Sequence, residues 1–231
     1  MKKIVCIVLA LVFIAVIGYS TYQIWGIRAD YKEEADLHSA VLEYKPQEDG
    51  PVNQSVIDLQ AKYPDTMGWL TIPNTKIDYP FVQAGDNDYY LRRDINGEYA
   101  LAGTLFLDYR CPPDFSARNT IIYGHHMKNG SMFGTIKSFN DKAFFDANRH
   151  GTIYLPYETL ALEFFAYLVI DPATETEIYS PVPGDDYLDY IKQNARHYRE
   201  IQLTDSARIV TLSTCAYEFD DARMVLLAVL T

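Results

Sequence analysis

The sequence predicts a mainly β domain, a barrel or sandwich of eight short strands with inserted and N-terminal helices, preceded by a transmembrane anchor helix. Three observations predict it. Apolar or β-branched runs alternate with turn residues from position 68 to the C-terminus. The residues from Ile4 to Ile17 carry no charge. A chain of 231 residues with 14% aromatic content and 19 tyrosines can form one packed domain plus an appendage, which excludes a disordered protein.

Lys2 and Lys3 precede the apolar stretch, which continues through Gly18, Tyr19, Tyr22 and Trp25 to Arg28. Roughly 20 apolar residues in a helix cross about 30 Å of hydrocarbon, and aromatic side chains at the outer end suit the membrane interface. A cleaved signal peptide shares the lysine pair and the apolar core, but no small-x-small cleavage site precedes Arg28 convincingly. The expectation is a single-pass anchor over residues 1–27, with a cytoplasmic N-terminus and the rest of the chain outside the cell membrane.

Arg28 to Tyr44 is charged and helix-compatible, with Ala35, Leu37, Val41 and Leu42 as a partial apolar stripe. Pro46 to Pro51 has turn chemistry, so residues 28–52 read as a helical stalk or linker and residues 53–231 as the folded domain. The strand runs are Gly68 to Ile72, Lys76 to Val82, Gly103 to Asp108, Asn119 to Tyr123, Thr152 to Leu155, Leu160 to Ile170, Arg208 to Cys215 and Arg223 to Leu230. Helices are expected over Ser131 to Asn148 and over Asp185 to Glu200. In the second, Asp185 or Asp186 would cap, and Leu188, Ile191 and Ala195 recur at helical spacing.

The formal net charge is −11, and without Lys2 and Lys3 the segment from Arg28 onward has 18 basic against 31 acidic residues. Such a surface repels polyanions and argues against nucleic acid as a partner. Outside the anchor the cysteines are Cys111, in a proline-flanked loop, and Cys215. A Cys111 to Cys215 disulfide is open from sequence, while the surroundings of Cys215 favour a free thiol.

Those surroundings carry the chemistry. The run Arg208-Ile-Val-Thr-Leu-Ser-Thr-Cys215 and the run beginning at Arg223 are joined by seven residues, so they read as adjacent antiparallel strands whose facing ends hold a thiol and a guanidinium. A permanent positive charge lowers a thiol pKa and can hold a developing oxyanion. The base is sought in Tyr123-Gly124-His125-His126, where a histidine beside a strand-end glycine can approach a reacting centre closely. His38, His150 and His197 lie in charged contexts and read as solvated surface residues. The acidic residues Glu218, Asp220 and Asp221 between the two strands could tune this pair, but a solvated hairpin loop accounts for them better.

Thr211-Leu-Ser-Thr-Cys215, the Cys215 to Arg223 spacing and Tyr123-Gly-His125 resemble the signature of sortases, specifically class B. Gly68 to Gln83, Asp86 to Leu91 and Gly103 to Arg110 are similar to class B segments too, so the resemblance covers most of residues 53–231. It implies an eight-stranded β-barrel with extra helices, acting as a cysteine transpeptidase outside a Gram-positive cell. Cys215 would attack the carbonyl at a threonine in a C-terminal sorting signal and form a thioester. His125 would protonate the leaving amine, and Arg223 would hold the oxyanion. By position the resemblance assigns catalysis to His125 and leaves His126 a neighbour.

Ser213, Tyr123, Asn87 and Leu91 resemble substrate-contacting positions of the family. Packing or turn roles would explain these four as well. The acceptor it implies is a peptidoglycan amine or, in a pilin-polymerising enzyme, a lysine of another subunit. The implied donors are secreted proteins bearing signals similar to Asn-Pro-Gln-Thr-Asn, or variants with Pro and Thr-Gly. No cofactor is implied, and no metal, because no calcium-ligand spacing such as an EF-hand loop occurs. Two other readings remain. A membrane-tethered binding module would leave Cys215 inert, and a papain-like hydrolase would want an asparagine where Arg223 stands.

Overall fold

The computed structural model describes residues 2–47, 52–204, 206–215 and 222–231, with the side chains of Lys2 and Cys215 outside that description. The described residues divide into two compact units, residues 1–40 and 41–231. The helix α1, Lys2–Val41, supplies the first unit and ends one residue past its boundary; it continues without interruption from the apolar stretch into the charged one and is long and apolar enough to cross a membrane.

In the second unit the strands are β1 (Thr66–Thr71), β2 (Asp78–Val82), β3 (Leu105–Leu107), β4 (Asn119–Tyr123), β5 (His150–Leu155), β6 (Glu158–Ile170), β7 (His197–Tyr198), β8 (Ile209–Cys215) and β9 (Arg223–Leu230). Their order is β5-β1-β2-β3-β4-β8-β9-β6-β7, and β5 also pairs with β6. Eight strands therefore close on themselves as a barrel, which leaves no open edge among them, and β7 is a two-residue addition on β6. All eight predicted strand runs form barrel strands. Two contacts, β2 with β3 and β4 with β8, are parallel, and the second sets the geometry of the site.

Alternation along β8 separates two environments. Val210 and Leu212 are fully buried and face the barrel interior with neighbours such as Ile122 and Leu226. Ile209 faces outward, into a cluster with Val225, Leu227 and Val229 of β9 and Ile178, Tyr187 and Ile191 of the covering helices. These helices are a 3₁₀ turn, Thr176–Tyr179, and α4, Tyr187–Asn194. In chain order α2 spans Gln54–Lys62 and α3 Lys142–Ala147.

Two helical expectations are corrected and one helix is added. The stretch 131–148 is not one helix: a 3₁₀ segment, Gly134–Asn140, stops at Asp141, whose extended backbone lets its carboxylate accept from Phe144 N at 2.8 Å and start α3 afresh. The helix expected over 185–200 ends at Asn194, because His197 and Tyr198 pair with Tyr167 and Ala166 of β6. Asp186 occupies its N-cap position but makes no side-chain cap bond. The helix α2 was not predicted. Its apolar signal is Val56, Ile57 and Leu59, of which Val56 and Leu59 are fully buried, and burying such a pair contributes roughly 3–6 kcal/mol before ordering costs. Asn53, at its N-cap position, instead turns its amide to Leu155 O at 2.6 Å and Glu158 O at 3.2 Å, fastening the helix to the β5–β6 hairpin.

Candidate active site

The antiparallel register of β8 and β9 pairs Cys215 with Arg223, as the two sequence runs implied. On its other side β8 runs parallel to β4, with Ser213 beside Tyr123. Two residues further along each chain come Cys215 and His125, so the register alone delivers both to the same end of the barrel. Gly124 makes the turn between them, and its N–H donates to Ser213 O at 3.1 Å. A Cβ at Gly124 would overlap the Leu105 side chain and lie 2.8 Å from the Phe133 ring, so no larger residue fits without displacing one of them.

His125 leaves the strand half-buried, with Nε2 at 2.7 Å from Leu91 O. A carbonyl oxygen only accepts, so Nε2 carries the proton and Nδ1 remains the basic nitrogen. Burial pulls the ring below the ordinary imidazole range of 6.5. The Leu91 bond opposes that shift and the Arg92 charge adds to it. Leu91 belongs to a 3₁₀ turn, Tyr89–Arg92, held from behind by Tyr90, whose hydroxyl donates to Asp65 at 2.6 Å. The adjacent His126 lines a different cleft, with Lys128 and Lys137.

A cavity of about 260 Å³ opens at this end of the barrel, lined by Asn87, Leu91, Phe106, Tyr123, Gly124, His125, Ser213, Thr214 and Arg223. It brings together six of the seven sequence-predicted residues. The seventh, Cys215, is placed by its backbone at the adjoining end of β8. The loop of Glu218, Asp220 and Asp221 lies outside the described residues. Arg223 donates to Ala222 O at 3.2 Å.

Behind the cavity lies a polar assembly that sequence reasoning missed. The Asp108 carboxylate is fully buried and accepts from Arg110 Nε at 2.8 Å, Arg110 Nη2 at 2.7 Å, Asn87 Nδ2 at 3.0 Å and the Tyr123 hydroxyl at 3.0 Å. Burial raises its pKa, but the Arg110 and Asn87 hydrogen bonds outweigh burial and hold it below 3.8. Arg110 Nη2 also donates to Tyr179 O at 2.8 Å, and the Tyr179 hydroxyl meets Ser213 Oγ at 2.9 Å. The one sequence signal was the segment Gly103 to Arg110, whose end carries Asp-Tyr-Arg. Tyr179 carried none.

Cys111 is a free, buried thiol with Sγ 3.7 Å from Asn119 O, and burial pushes its pKa up to about 11. It is therefore inert at neutral pH and forms no bridge to Cys215. Among the described residues, no three histidine, cysteine or carboxylate side chains gather as a metal site.

The sortase domain family matches residues 70–231 of this chain. Sortase B of Listeria monocytogenes is 40% identical over 184 residues, covering 77% of this chain and 74% of the relative. Among solved structures, Bacillus anthracis sortase B superposes with a TM-score of 0.76 at 34% identity, covering 88% of this chain and 98% of that one. A Streptococcus pyogenes class B sortase involved in pilus biogenesis gives a TM-score of 0.70 at 35% identity, covering 76% and 97%. With that match, that barrel and that pairing of strand ends, the chain belongs to the sortase family of transpeptidases and, within it, to class B.

Proposed function

We propose that this transpeptidase cleaves a C-terminal sorting signal at a threonine, holds the protein as a thioester on Cys215 and transfers it to a peptidoglycan amine. The observation that carries this reading is that His125 and Arg223 line one cavity at the end of the strand that presents Cys215.

His125, held below the ordinary range, is neutral at pH 7 and takes the Cys215 proton on Nδ1 as the nucleophile forms. The thiolate attacks the threonine carbonyl carbon, and the Arg223 guanidinium, a planar fixed cation, stabilises the oxyanion. The C–N bond breaks, the leaving amine takes the proton from His125, and the thioester remains. An incoming amine attacks that thioester, its proton passes to His125, and Cys215 departs as thiolate. Asn87, Leu91, Tyr123 and Ser213 line the space where the signal would lie. The helix α1 would hold the enzyme at the membrane with its N-terminus inside.

A second acceptor is favoured by the neighbours: besides the S. pyogenes pilus-biogenesis enzyme, a sortase B from the type II pilus of Streptococcus pneumoniae is 40% identical. Its reading is a lysine of a pilin subunit as nucleophile. The test is to load the enzyme with sorting-signal peptides and offer peptidoglycan-fragment amines and pilin lysine peptides in competition. Transfer to the wall fragment supports anchoring, transfer to the lysine peptide supports polymerisation, and hydrolysis alone contradicts both.

A further inference from the structure

We infer that Asp108 is a positioning residue for the sorting signal: a buried carboxylate that fixes Tyr123 and Asn87 directly and Ser213 through Arg110 and Tyr179. This rests on the cavity being where the signal binds.

The three cavity-lining residues come from three separate parts of the chain. Asn87 sits in a loop before the Tyr89–Arg92 turn, Tyr123 ends β4, and Ser213 lies in β8. The β4–β8 register sets Tyr123 beside Ser213 without fixing their hydroxyls, and Asn87 lies outside the strands. Asp108 fixes the polar groups of Asn87 and Tyr123. Asn87 gives Nδ2 to Asp108 at 3.0 Å and accepts from Tyr109 N on Oδ1 at 3.1 Å, so both ends of its amide are assigned and its orientation is fixed. The Tyr123 hydroxyl donates to the same carboxylate, while its ring stacks on Tyr179, at 6.0 Å between centroids, and lies tilted by 33° against Phe106, at 5.3 Å.

Arg110 closes the assembly. Its bidentate pair with Asp108 compensates the buried charge, and its second bond to Tyr179 O anchors the 3₁₀ turn whose hydroxyl holds Ser213 Oγ, two residues before the nucleophile. Asp108 does not line the cavity. Its effect passes through the groups it orients, and a carboxylate that stays ionised at neutral pH is a permanent acceptor for this purpose.

The test uses the full chain in detergent and compares wild type, Asp108→Asn and Tyr179→Phe in three measurements. The inference expects kcat/KM for acylation by a sorting peptide to fall about 10- to 100-fold in Asp108→Asn, as when a supporting group lets reacting groups drift. Alkylation of Cys215 by iodoacetamide should stay within about 2-fold of wild type, because that small reagent needs no aligned cavity. The Tyr109 amide should exchange faster in Asp108→Asn, whether or not any peptide is accepted, because its acceptor is no longer held. If wild type accepts no sorting peptide, the proposed function fails, and Tyr109 exchange alone decides for or against the positioning role.

Tyr179→Phe keeps the ring and removes the hydroxyl that meets Ser213 Oγ. It is expected to lower peptide acylation in the same direction and to combine less than multiplicatively with Asp108→Asn. Should Asp108→Asn not fold, Tyr179→Phe decides: unchanged peptide kcat/KM overturns the inference. A folded Asp108→Asn with wild-type peptide kinetics and wild-type Tyr109 exchange overturns it as well, and so does equal loss of peptide acylation and alkylation.

Discussion

His125 Nε2 donates to the carbonyl of Leu91 at 2.7 Å, a bond between residues 34 positions apart. It joins the ring to a short 3₁₀ turn and fixes which nitrogen is basic. The imidazole is thus oriented by main chain, where many enzymes use a carboxylate.

The pH dependence follows from the depressed ring. A histidine whose folded pKa lies below its unfolded value loses stability as pH falls, because the unfolded chain binds the proton more readily between the two values. Stability should be full above about pH 6.5 and decline below it, and His125→Asn should flatten that decline. Melting temperatures of the two proteins between pH 7.5 and 5 check this. The acid limb of peptide kcat/KM should likewise fall below about pH 6.5, and a limb at 7 or above would contradict the burial argument.

Gly103 has φ of 59°, and a Cβ there would lie 2.6 Å from Leu91 O, the acceptor of the His125 bond. Gly103→Ala should cost about 1–2 kcal/mol from backbone strain alone. It should also lower kcat by displacing that carbonyl. Thermal unfolding and steady-state kinetics read the two effects separately.

Arg223→Lys keeps the charge but loses the planar fork. If the guanidinium holds the oxyanion, kcat should fall about 10²-fold, with little change in folding. Equal kinetics in the two proteins would remove Arg223 from the mechanism.

Cys111→Ala should retain transpeptidation and lose only about 1 kcal/mol of stability, the cost of a small buried vacancy. In native protein at pH 7, mapping of alkylated peptides should find Cys215 modified and Cys111 untouched.

The barrel was legible because its strands are apolar, β-branched runs bounded by turn residues, and because the cysteine and arginine fall at facing strand ends. What escaped depends on contacts that sequence spacing does not express. Asp141 splits a segment that is apolar enough for a single helix, and His197 and Tyr198 leave a helical pattern to pair with β6. Within the site, His125, Cys215 and Arg223 carry their chemistry in their side-chain types. The role of Asp108 comes from partners at positions 87, 110 and 123, and the Arg110 to Tyr179 bond spans 69 residues, so no local motif marks it.

The most direct test is intact mass of the full chain after brief exposure to a library of sorting-signal peptides without acceptor. An acyl-enzyme intermediate predicts an added mass, mapped to Cys215, that disappears when a small amine is supplied and never forms in Cys215→Ala. Peptide cleavage with no acyl-enzyme, or an adduct that persists in Cys215→Ala, would contradict it.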